Sequence, residues 1–165
     1  MQRIAIAIAI ASLAAAAAQA HVVLEYKVAP AGSYYKASFQ VGHGCGKSAT
    51  RQVVVQVPDA VVSAHPQPKA GWTVAIDKAG ERATRITWTA KGDADKLPSD
   101  FYDEFQLMAK LAAEPATLYW PVVQVCDEGR AEWTQVPAAG QAASDLKSPA
   151  AVLEVLPNEG GGHKH

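Results

Sequence analysis

From His21 onward the apolar residues come in short alternating runs, rich in valine and aromatic side chains and broken repeatedly by proline and glycine. Alternation with a period of two places every second side chain on one face, so each run can bury one side only as a strand. No stretch after His21 sustains a helical period. The runs predict strands over His21–Lys27, Ser33–Val41, Thr50–Pro58, Trp72–Asp77, Thr84–Thr89, Phe101–Lys110, Thr117–Cys126 and Ala131–Val136. Gln67–Gly71 and Lys91–Asp100 read as loops, His65 falls in a loop before Pro66, and Ala151–Leu156 can add an edge strand. Many short strands with turn punctuation imply an all-β protein, an antiparallel β-sandwich of immunoglobulin-like kind.

The first twenty residues follow a different rule. Arg3 gives a basic start, Ile4 to Ala18 is an apolar run, and Ala18-Gln19-Ala20 is a small-x-small peptidase pattern. The run is short and alanine-rich, whereas a membrane span needs about 20 strongly apolar residues. Residues 1–20 are therefore expected to be a cleaved signal peptide, residues 21–157 one domain, and residues 158–165 a flexible tail carrying His163 and His165. Export to the periplasm or beyond follows. No later stretch is apolar enough to span a bilayer. Acidic and basic residues balance to a net charge of −1 and are interspersed, which excludes the basic stripe that nucleic-acid binding needs. Cys45 and Cys126, delivered to an oxidising compartment, are expected to form a disulfide.

Cleavage before His21 would make that residue the chain terminus. Its free amine, with a pKa of about 7.7 to 8.0, loses a proton to a metal at little cost, and amine nitrogen and imidazole Nδ1 can close one chelate ring. His43 and Cys45 are two apart in Val41-Gly42-His43-Gly44-Cys45 and share a face if the segment stays extended. A hairpin turning at Gly129-Arg130 would put Cys126 opposite Trp133, so a Cys45–Cys126 bridge would bring His43 near the indole. Glu25 lies on the His21 face of the first strand and is a second candidate donor. Three nitrogens in a T or square arrangement suit Cu(II), which favours tetragonal nitrogen and oxygen ligation, over zinc, which wants a tetrahedral set.

Several strings then resemble a known family: His21-Val-Val-Leu-Glu25, Ala31-Gly-Ser-Tyr-Tyr-Lys36, His43-Gly-Cys45, Pro66-Gln-Pro-Lys-Ala-Gly-Trp72, Asp100-Phe-Tyr-Asp-Glu-Phe105, Tyr119-Trp-Pro-Val-Val-Gln124-Val-Cys126 and Glu132-Trp133. Together they resemble the YcnI-like copper-binding proteins, from His21 to about Pro137. The resemblance implies an extracytoplasmic immunoglobulin/cupredoxin-like sandwich that binds one Cu(II) through an N-terminal histidine brace. It matches Trp133 to the family's site tryptophan. A glutamate completes the site in that family, and here His43 or a neighbour stands at its place, with Glu25 the other available carboxylate.

The expected function is copper holding or transfer without catalysis, in exchange with other periplasmic copper carriers or a membrane copper importer. No nucleophile, base and orienting group occur in motif spacing. Two other classes use the same residues: a copper monooxygenase built on the brace, and a structural or adhesion sandwich without metal. Asp103 and Glu104 should face opposite ways on a strand and so do not pair as acid and base. The tail histidines His163 and His165 can offer a second metal site on a glycine linker.

Overall fold

The structure, a computed structural model, describes residues 21–158. The expected leader and the tail histidines His163 and His165 lie outside the described residues. Within them twelve strands and two single-turn 3-10 segments form an immunoglobulin-like all-β sandwich. One sheet runs β1 (Val23–Leu24), β3 (Tyr34–Val41), β8 (Asp103–Leu111), β5 (Val61–Pro66). A second runs β11 (Arg130–Trp133), β10 (Val122–Cys126), β4 (Thr50–Gln56), β7 (Arg82–Ala90), β6 (Trp72–Ala79). A third, smaller sheet holds β2 (Val28–Pro30), β12 (Ala151–Leu156) and β9 (Ala116–Trp120), and its β12–β2 pair is parallel.

Alternation does the folding work on β3 and β8. Tyr35, Ala37 and Phe39 pair directly with Ala109, Leu107 and Phe105, and all six are buried. The facing sheet contributes Val53, Val55, Ile86 and Trp88, each fully buried. Trp72 and Trp88 meet the Phe105 ring edge-on at centroid distances of 5.0 and 5.8 Å, and Phe39 meets Trp120 at 5.6 Å. Offset and edge contacts of this kind complement the ring quadrupoles, and truncating any such core aromatic to alanine costs about 3–5 kcal/mol.

Three readings of the sequence need correction. The apolar run Thr117–Cys126 is two strands in two sheets, β9 against β12 and β10 against β4 and β11, with the switch at Pro121. Proline has no N–H to continue a ladder, and the Pro121 carbonyl instead accepts from Gln56 N at 2.9 Å. The first expected strand, His21–Lys27, is a strand only at β1: the chain bends at Glu25, and β2 begins at Val28, beyond the expected end. Strand β5 lies where a loop was expected: His65 is on a strand, and the closing Pro66 is tolerated because β5 is an edge.

Candidate metal centre

The His43 loop leaves β3 and is fastened from three sides. Gly44 N donates to Ser99 O at 3.1 Å, and the close approach leaves no room for a side chain, since a Cβ here would stand 2.1 Å from Ser48 O. Cys45 and Ser48 exchange backbone hydrogen bonds around Gly46, whose φ of +65° is left-handed. Cys45 is disulfide-bonded to Cys126 with Cα atoms 6.0 Å apart, as expected from the sequence. Beneath the loop Gln124, a polar residue within Val-Val-Gln-Val-Cys on β10, is buried. Its Nε2 donates to the His43 carbonyl and to Thr50 Oγ1, both at 2.7 Å.

The His43 ring is itself oriented. Nδ1 lies 2.6 Å from the Gly44 carbonyl, and a carbonyl can only accept, so Nδ1 is the donor of that hydrogen bond. Histidines that bind metals commonly direct one N–H to a carbonyl in this way.

Trp133 closes β11 and is buried, 5% exposed. The β10–β11 hairpin differs from the expected one: its connection is the four residues 126–129, with Gly129 at φ +77°, so Trp133 stands opposite Val122 and not Cys126. The shift is an even number of residues, which preserves the face, and Trp133 remains beside the His43 loop. Both line a cleft of about 800 Å³ that also takes in Cys45, Gln124, Arg130 and Glu132. The His21 ring meets Trp133 with centroids 5.0 Å apart and planes at 54°. His21 also borders a more apolar groove of about 300 Å³ formed with the start of β12.

Glu25 is placed differently. It is exposed, its carboxylate pairs with Lys36 at 3.5 Å, and its N–H donates to Ser38 O on the outer face of the four-stranded sheet. Among the described residues no three His, Cys, Asp or Glu side chains come together as a metal cluster. Asp103 and Glu104 point opposite ways, as alternation requires: Asp103 pairs with Lys69 at 2.7 Å, and Glu104 accepts from Ser38, Gln40, Tyr102 and Gln106. Those bonds, Tyr102 foremost, hold the Glu104 carboxyl at a pKa of about 2.

Residues 21–155 match the family described as a domain of unknown function, DUF1775. The chain belongs to that family. YcnI-like proteins are DUF1775 members, so the resemblance in the sequence stands at the level of the family. Among solved structures, this DUF1775 chain is similar to an uncharacterized protein from Nocardia farcinica with an immunoglobulin-like fold. The two share 27% identity and superpose with a TM-score of 0.70 over 82% of this chain and 97% of that one. A chain from a type I cohesin–dockerin complex of Clostridium thermocellum matches at 10% identity and a TM-score of 0.46, over 82% of this chain and 98% of that one, too distant to bear on the site. No curated protein matches the chain.

Proposed function

We propose that this DUF1775 protein is an exported carrier that holds or hands over Cu(II), and that His21, exposed as the terminus once residues 1–20 are removed, is its principal ligand. The observation that carries the reading is the His21 ring 5.0 Å from the buried Trp133 indole. A terminal histidine offers amine and Nδ1 in one chelate, and an indole beside it shields one side of the bound cargo and attracts its charge.

His43 is the preferred further donor. It lines the Trp133 cleft, whereas Glu25 does not and pairs with Lys36. A shielded site favours holding over turnover, so the protein acts as a carrier rather than an oxidase. Its exchange partners are then other copper carriers outside the cytoplasm or a membrane importer.

Tryptophan fluorescence during Cu(II) titration tests this reading. A chain beginning at His21 should be quenched with an endpoint at one equivalent, and Trp133→Phe should remove most of the amplitude. Brisk ascorbate-driven peroxide production by the loaded protein would count against the carrier reading. Equal quenching of a chain with one extra residue before His21 would overturn the assignment of the ligand.

A further inference from the structure

The outer face of the four-stranded sheet is polar and largely cross-linked by its own side chains. Ser38, Gln40, Tyr102 and Gln106 all donate to the Glu104 carboxylate. Lys36 pairs with Glu25, just past β1. Lys110 Nζ donates to the Gly32 carbonyl at 2.6 Å and lies 4.7 Å from the centre of the Tyr34 ring on β3. In the order β1-β3-β8-β5, both lysine head groups are thus drawn toward β1 and away from β5.

On the β5 side this leaves His65 and Met108, which stand directly opposite each other in the β5–β8 ladder. Both are exposed, Met108 to 44%, and Met108 is the chain's sole methionine after Met1. Among the described residues no hydrogen bond, ion pair or ring contact engages either side chain. An imidazole and a thioether are therefore presented side by side, with the neighbouring cations held off.

We propose that His65 and Met108 form a two-coordinate Cu(I) site, separate from the His21 cleft. Directly opposed residues have Cβ atoms about 4.5–5.5 Å apart. A near-linear S–Cu–N unit needs its donors about 4.3 Å apart, taking metal–sulfur and metal–nitrogen lengths of about 2.3 and 2.0 Å. Methionine's three rotatable bonds bring the sulfur into line. The donor pair selects the ion: a thioether is soft and suits Cu(I), Cu(II) favours tetragonal nitrogen and oxygen, and zinc requires four ligands. The site does not depend on the Cu(II) reading, because it uses neither His21 nor Trp133.

The test is anaerobic Cu(I) titration of the chain beginning at His21 against a chromogenic Cu(I) chelator, with X-ray absorption at the copper edge. The wild type should show a sulfur scatterer at one Cu(I) per chain. Met108→Leu should abolish that scatterer, and Met108→Leu and His65→Gln should each weaken Cu(I) binding at least about tenfold. Both variants replace exposed side chains, so coincident thermal melts will verify their folds, and their Cu(II) spectra should match the wild type. Competition curves unchanged in both variants, or a copper edge without sulfur, would overturn the proposal. So would loss of Cu(I) binding on adding a residue before His21, which would return the ion to the cleft.

Discussion

Gln124→Leu separates the support of the His43 loop from the loop's own residues. The substitution keeps side-chain bulk near constant and deletes two hydrogen bonds, both 2.7 Å, to the His43 carbonyl and to Thr50 Oγ1. Thr50 is fully buried, so its hydroxyl loses a partner that water cannot readily replace. At about 1–3 kcal/mol for each buried group left unsatisfied, discounted for partial rescue of the His43 carbonyl by solvent, the loss comes to about 2–4 kcal/mol. For a domain of this length that lowers the melting temperature by about 10 °C. Differential scanning calorimetry measures the loss, and Cu(II) titration below the melting range measures its consequence for the site. Gln52→Leu, which breaks one hydrogen bond to Thr89 on the same sheet, is the control and should cost under about 1.5 kcal/mol. A Gln124→Leu protein that melts within about 2 °C of the wild type and binds Cu(II) equally well would refute the idea that Gln124 organises the loop.

Tyr102→Phe removes the largest influence holding Glu104 at a pKa of about 2. A carboxylate depressed in the fold stabilises it above its unfolded value of about 4.3 and loses that contribution as pH falls toward 2. The variant's folded pKa rises, its contribution shrinks, and its acid-unfolding midpoint by circular dichroism should move to higher pH; a midpoint at or below the wild type's would contradict the hydrogen-bond account. Gly44→Ala forces a Cβ to 2.1 Å from Ser48 O, so the loop must shift; urea melts should show a loss of about 1–3 kcal/mol, and an unchanged midpoint would contradict the close approach. Reducing the Cys45–Cys126 bridge, or replacing both cysteines with alanine, frees a loop of 81 residues in the unfolded chain. It should cost about 4 kcal/mol in denaturant melts, and coincident oxidised and reduced curves would argue against a structural bridge.

Much of the fold was legible because the apolar runs of β3, β4, β7 and β8 locate those strands to within about two residues, and on β8 the buried residues Phe105, Leu107, Ala109 and Leu111 alternate without a break. Pro121 hid a change of sheet because the residues on both sides of it, Trp120 and Val122, are buried and the apolar run continues unbroken. Strand β5 was obscured by Pro58, Pro66 and Pro68 around it and by the bulge between Val61 and Ser63, which breaks the period. The disulfide pair followed from there being two cysteines in a chain whose first twenty residues read as an export leader. The proximity of His43 and Trp133 was reached through a hairpin register that proved wrong by an even number of residues, an error that leaves the facing side unchanged. Gln124 had a signal, an amide in the middle of a buried run, but its partners His43 and Thr50 are more than seventy residues away and only the fold brings them together.

The contact between His21 and Trp133 matters functionally only if the His21 amine is free to join the imidazole. Electron paramagnetic resonance of one equivalent of Cu(II), on ¹⁵N-histidine-labelled protein beginning at His21 and on the same chain with one extra preceding residue, tests that most directly. The account predicts an axial spectrum with nitrogen hyperfine structure altered by the label in the first, and loss of the tight signal in the second. Identical spectra from the two chains would contradict it.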